Sequence, residues 1–187
     1  MRREETKLVL RWVTFVALLS VLAAVSWSVI SQSAALYRTT PAFRKMDRVE
    51  VTLLNDEGEL VSFEVRVADE DDERSAGFAN IGAGVIRRTV ILWMINRETT
   101  IDFRTQEVEA PIELAYLNGE GKVLGIQAGK PFAAEPIPFG IPFQFVLEAP
   151  AGFFAQRPLS TNGSALTPTS LRALKALLGP PPASRPQ

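Results

Sequence analysis

The chain has 187 residues and a net charge of −1, enough length for one globular domain with appendages and no global field to recruit nucleic acid. It contains no cysteine, which excludes a structural disulfide, a thiolate metal site, a lipoprotein anchor and thiol catalysis. Histidine is absent too, so Ser-His-Asp and Cys-His catalysis, histidine zinc sites and C-x-x-C-H haem attachment cannot be built. No catalytic residue, cofactor or metal is expected.

Residues 1–11 read as a cytoplasmic N-terminus and 12–30 (WVTFVALLSVLAAVSWSVI) as a transmembrane helix. The run is uncharged and, at about 1.5 Å per residue, long enough for a hydrocarbon core of roughly 30 Å. Trp12, Phe15, Leu18, Leu19, Leu22, Trp27 and Ile30 are the anchor residues, with Trp12 and Trp27 near the two interfaces. Arg2, Arg3, Lys7 and Arg11 precede the span, and Arg38, Arg44, Lys45 and Arg48 follow at a distance. The positive-inside rule then places the N-terminus in the bacterial cytoplasm, the span in the inner membrane and the C-terminal domain in the periplasm. The alternative is a signal peptide cleaved near Ser33-Ala34-Ala35, but this run exceeds a signal core of roughly 7–15 residues.

Residues 31–47 read as a juxtamembrane linker, with Pro41 limiting helix continuation. From residue 48 the pattern alternates. Val49, Val51 and Leu53, a turn at Asn55-Asp56-Glu57-Gly58, and Val61, Phe63, Val65 and Val67 predict a β-hairpin. The acids Asp69 to Glu73 invite a calcium reading, but their spacing does not fit an EF-hand loop. A short helix capped by Asp69 and ended by Gly77 accounts for them better. Thr89 to Ile95 predicts a strand buried on both faces, and Ile101-Asp102-Phe103 begins another.

A polar crossing from Arg104 to Glu109 follows, then a strand through Ile112, Leu114 and Tyr116, a turn at Asn118-Gly119-Glu120-Gly121 and a return strand from Lys122 to Gln127. Pro131 to Pro142 predicts an irregular loop, and Phe143 to Glu148 a last strand. Residues 48–158 therefore form a β-domain. Residues 159–187 form a tail with an amphipathic helix at 168–178, N-capped by Thr167, and a Pro-rich end. Its Leu171–Leu174–Leu178 stripe is either a packing latch or a docking peptide.

Three ordered segments resemble a known family. FEVRVADEDDERSAGF carries Glu73, Arg74, Gly77 and Phe78 of a Glu-Arg-x-x-Gly-apolar signature. APIELAYLNGEGKVLGI resembles the family's Pro-led strand and hairpin, and FVLEAPAGFF its closing strand and turn at Pro150, Ala151, Gly152 and Phe153. Over about residues 60 to 155 the chain resembles the prokaryotic domain of unknown function 192. The resemblance implies an all-β, jelly-roll-like β-sandwich with short helices, and it imports no activity. Members carry Trp-Met-Lys-Asn-Thr where this chain has Arg104-Thr105-Gln106-Glu107-Val108, so the scaffold is kept and the loop chemistry replaced.

The leading functional expectation is a non-catalytic accessory or structural subunit of a larger membrane complex, respiratory, photosynthetic or secretory. Its partners are the lipid bilayer and other membrane-protein subunits, with contacts at Arg104, Gln106, Glu107, Phe132, Ile137, Phe139, Leu171, Leu174 and Leu178. The apolar members of the loop 132–143 either form such an interface or plug one end of the sandwich. A second reading is a periplasmic binding module for a small molecule or carbohydrate, with Tyr116 or Trp93 as a platform. A third is a carboxylate-dependent hydrolase built on Glu107, Glu109 and Glu113.

Overall fold

The computed structural model describes residues 2–161 and 163–178. It divides into two compact units, one ending at Tyr37 and the other beginning at Arg38.

The first unit is a single helix, α1 (Arg2–Leu36). Its stretch Thr14–Leu36, 23 residues, is long and apolar enough by length and composition to cross a membrane. The hydroxyls of Ser20 and Ser31 donate to the carbonyls of Val16 and Trp27 one turn back, so these polar side chains are satisfied within the helix. All seven expected anchor side chains are exposed. The helix does not stop at Ile30: Ser31 to Leu36 contains neither Pro nor Gly, and helical geometry continues through it.

The rest of the expected linker is folded as well. Thr40 caps α2 (Pro41–Lys45), its hydroxyl accepting from the Phe43 N–H at 3.2 Å, with Pro41 in the first turn. A fixed φ and a missing N–H suit that position, so Pro41 starts a helix here. Phe43 and Met46 are buried, which ties the segment to the second unit.

Seven strands form one sheet in that unit: β1 (Asp47–Leu54), β2 (Leu60–Ala68), β3 (Ile91–Thr99), β4 (Ile112–Leu117), β5 (Val123–Gly129), β6 (Phe143–Pro150) and β7 (Ala165–Leu166). The order is β5-β4-β6-β3-β2-β1-β7. The β-class expectation holds, but the strands make one sheet curled into a half-barrel in place of two facing sheets. Its end strands meet through the Lys122–Ala165 bridge, with Val123 N donating to Ser164 O at 3.0 Å and Leu166 N to Gly121 O at 2.9 Å.

Both faces of the sheet are buried along β4, β6 and the first half of β3, while the β1–β2 hairpin leaves Arg48, Glu50 and Glu64 exposed. Val51, Leu53, Val65, Val67, Leu92, Met94, Leu117, Phe145 and Leu147 form the inner core. Ala68, Ile91, Ile112, Leu114, Tyr116, Phe143 and Val146 belong to a second core on the other face. Burial on two sides explains why β3 and β6 read as nearly continuous apolar runs. The expected tail is part of the domain: β7 closes the sheet, and α5 (Pro168–Leu177) packs on the inner core. The Pro-rich end lies outside the described residues.

β2 and β3 pair in parallel. A parallel pair cannot be joined by a hairpin, so the chain must cross over, and it does so through α3 (Asp71–Ala76) and α4 (Ala83–Ile86). This crossover lays α3 against the outer core. The strand expected at 101–103 is absent as a ladder: Phe103 forms one isolated bridge, to Ile137. Its side chain is instead a core residue, 5% exposed.

Candidate functional site

The helix α3 is N-capped by Glu70, one residue after the expected Asp69. The buried Glu73 reaches back to accept from the N–H groups of Glu70 and Asp69 at 3.2 and 3.3 Å. Burial raises its pKa, while those backbone bonds act in the opposite direction. Arg74 donates to the carbonyls of Asp69 and Met94 and pairs with Asp71, which pins α3 to β3.

Gly77 ends the helix at φ +44°, and a Cβ there would meet Trp93 at 2.8 Å and Glu148 Oε2 at 3.1 Å. The glycine therefore supplies both a conformation closed to L side chains and the space that Trp93 and Glu148 occupy. Phe78 enters the core against Phe43, with ring centroids 6.5 Å apart. Each residue of the Glu-Arg-x-x-Gly-Phe signature thus has a physical task in seating α3.

Beneath this turn lies a cleft of about 460 Å³. Its apolar wall is Trp93, Ile95, Phe103 and Val108, and its polar rim includes Asp71, Arg74, Asp102 and Arg104. The volume falls within the several hundred Å³ typical of small-molecule sites. Glu148, on β6 and 3% exposed, lines the cleft. Trp93 Nε1 donates to its Oε2 at 3.0 Å. Burial pushes the Glu148 carboxyl up to about 7, against the lowering effect of hydrogen bonds from Trp93 and the Phe78 backbone. At neutral pH this group can present either a neutral or a charged oxygen to a ligand.

Aromatic rings continue inward. Trp93 meets Phe103 edge-on at 4.6 Å, Phe103 meets Tyr116 at 5.8 Å, and Tyr116 stacks on Phe139 at 3.9 Å and 5°. Tyr116 is fully buried, and its hydroxyl has no hydrogen-bond partner among the described residues. Burial, then the charges of Asp102 and Glu148, hold its pKa far above the ordinary phenol value.

The structure redistributes the expected partner contacts. Arg104 is exposed on the rim of the cleft. Gln106 is exposed, and its Nε2 donates to Ala134 O at 3.0 Å, while Glu107 accepts from Asn80 Nδ2 at 2.8 Å. Both bonds anchor the crossing to neighbouring loops. Phe132 is 64% exposed. Ile137 is only partly exposed, because it pairs with Phe103 through backbone bonds of 3.1 and 2.8 Å. Phe139 is not a surface contact: it packs on Tyr116 and fills space that a Cβ on Gly125 would take, at 2.6 Å. Leu174 is fully buried, and Leu171 and Leu178 pack on the inner core, so this stripe is a latch.

The three carboxylates of the hydrolase reading do not converge on one group. Glu107 holds Asn80, Glu109 pairs with Arg38 at 2.5 Å, and Glu113 accepts from the Gly152 and Phe154 N–H groups at 2.9 and 3.4 Å. Glu148, a buried carboxylate that lines a cleft, escaped the sequence reading. Its signal was an acid inside the apolar strand FQFVLEA.

The family model described as "Uncharacterized ACR" (DUF192) matches residues 52–166, more than half the chain. Two crystal structures are similar in fold. One is a Sinorhizobium meliloti 1021 protein described as a candidate transcription regulator, with TM-score 0.57 and 19% identity, covering 65% of this chain and 93% of that one. The other is a protein of unknown function from Novosphingobium aromaticivorans DSM 12444, also at TM-score 0.57 and 19% identity, covering 71% and 95%. No curated protein matches the chain.

Proposed function

We propose, for a chain that belongs to the DUF192 family, that it is a membrane-tethered, non-catalytic binding module whose ligand enters the cleft under α3. The ligand is a small polar molecule, the carbohydrate class included. It lays an apolar face on Trp93 and Phe103 and points a hydroxyl or amine at Glu148. Arg74 and Arg104 at the rim suit an acceptor at its outer end. The observation that carries this reading is Glu148 itself. A carboxyl buried on an outer core at the expense of its own ionisation, yet open to a cleft, is the kind of perturbed group that concentrates at functional sites. α1 supplies the tether, in the bacterial inner membrane with the N-terminus cytoplasmic and the domain periplasmic.

The test is a thermal-shift screen of the full chain in detergent against monosaccharides, amino alcohols and small polar metabolites, followed by titration of any hit. A true ligand raises the melting temperature of the parent chain, and Arg104→Ala, at an exposed position, weakens the effect. Stabilisation that is unchanged in both Arg104→Ala and Glu148→Gln would place the ligand elsewhere.

The accessory-subunit reading keeps one supporting observation. Phe132 and Ile141, 64% and 52% exposed on the same Pro-rich segment, remain available to a protein partner. Purification in mild detergent that returns the chain monomeric and alone would count against it.

A further inference from the structure

A second cleft, about 750 Å³, shares no lining residue with the first. Arg48 of β1, Arg66 of β2, Arg87 and Arg88 after α4, and Arg157 after β6 all line it, and Glu64 is the one carboxylate among its lining residues. The whole chain carries 20 basic and 21 acidic residues, so this is a local concentration of charge in a balanced molecule. Glu64 is already taken by Arg48 at 3.1 Å. Arg87 is exposed; its backbone N–H donates to Ala83 O, and its side chain has no hydrogen-bond or ion-pair partner among the described residues.

Two of the guanidinium groups are held in place. Arg66 lies over the Phe43 ring at 4.4 Å and donates from Nη1 to Phe43 O at 2.9 Å. Arg157 lies over the Phe153 ring at 3.8 Å and donates from Nη1 to Phe153 O at 3.1 Å. Arg66 Nη1 also donates to Met46 O at 3.4 Å. Each guanidinium carries about five N–H donors, so these Nη1 bonds fix the plane and leave the other N–H groups of the fork for another acceptor. Burial, then the charge of Arg48, lowers the pKa of Arg66, while Glu64 acts in the opposite direction. Phe63, Val65 and Val85 give the cleft an apolar wall, beside the polar Thr39, Thr89 and Gln156.

We infer that this cleft binds an organic phosphate, with the phosphate on the arginines and the organic part on the apolar wall. Several guanidinium groups on one cleft, two of them pre-oriented, match the multiple charge of phosphate better than that of a single carboxylate. The phosphate has two possible sources. One is a soluble phosphorylated metabolite. The other is a phospholipid headgroup, since Thr39 on the cleft is only three residues beyond the end of α1.

The test uses the full chain in nanodiscs of zwitterionic phosphatidylcholine, titrated calorimetrically with inorganic pyrophosphate. Saturable binding is expected, weakening with added salt and falling roughly tenfold or more in the Arg48→Gln/Arg87→Gln double variant. Arg97→Gln, exposed and outside the cleft, leaves it unchanged. In discs that also contain phosphatidylglycerol, weaker pyrophosphate binding assigns the cleft to lipid headgroups, and unchanged binding assigns it to soluble phosphates. Absence of binding in the phosphatidylcholine discs, or equal affinity in the parent and the double variant, overturns the inference. Neither result bears on the Glu148 cleft, so the two readings fail separately.

Discussion

Replacing Glu148 by glutamine removes a titration while keeping an oxygen for Trp93 Nε1 to donate to. The carboxyl sits at about 7 in the folded chain against 4.5 for the free side chain, because burial disfavours its charged form. Between those two values the folded state holds a proton that the unfolded chain has released. Its stabilising contribution is therefore complete below the unfolded value and is lost as pH rises through the folded one. At about 1.4 kcal/mol per unit the full difference is about 3 kcal/mol. Most of it, about 2–3 kcal/mol, falls between about pH 5 and pH 8. The assay is urea unfolding of the parent chain and Glu148→Gln across that range, in detergent that keeps α1 soluble. The expected result is a parent curve that loses stability toward pH 8 and a variant that does not share the loss. Glu73, whose pKa is also raised, contributes equally to both chains and cancels in the difference. Parallel curves would refute the assignment of Glu148 as the buried titrating group.

Three further outcomes follow from the packing. Gly77→Ala combines a forbidden backbone conformation with an overlap on Trp93, so it should cost about 1–3 kcal/mol or more, read as a lower urea midpoint with unchanged slope. Leu174→Ala should cost about 2–5 kcal/mol, because this side chain is fully buried in the inner core; a neutral result would return α5 to the role of a docking peptide. The natural absence of cysteine makes Glu57→Cys, in the exposed β1–β2 turn, a clean topology probe. A membrane-impermeant maleimide should label it in spheroplasts, and labelling only after lysis would reverse the orientation.

The period of apolar residues made most of the strands legible, and capping chemistry did the same for α3 and α5. Both signals are local. What escaped depends on pairs distant in the chain. Phe139 could be read as apolar surplus in a Pro-rich loop, but only Tyr116 on β4 and the missing Cβ of Gly125 on β5 decide that it is core. The leucine stripe on α5 showed that something covers it, without showing that the inner face of the curled sheet does. The single sheet was hidden for a related reason, since alternation in a strand reports which faces are buried and says nothing of whether they meet a second sheet or the same one.

Of the two clefts, one left a trace in the sequence. An acid in the middle of FQFVLEA breaks a pattern buried on both faces, and a Gly that ends a helix beside it marks where a backbone must make room. The five arginines left none: they come from separate elements, and only the parallel crossover and the turn after β6 bring them together. The polar crossing Arg104 to Glu109 divides in the same way. Glu107 and Glu109 serve as struts, and Arg104 alone of its charged side chains lines the cleft.

The most direct test of the binding reading is the indole N–H resonance of Trp93 in ¹⁵N-tryptophan-labelled full chain, assigned against a Trp93→Phe variant. That proton lies on the bond to Glu148, so it should move with pH around a midpoint of about 7. It should also shift saturably with a small polar ligand, while Trp12 and Trp27 on α1 stay unmoved. A Trp93 signal indifferent to both pH and every compound that stabilises the protein would contradict the account.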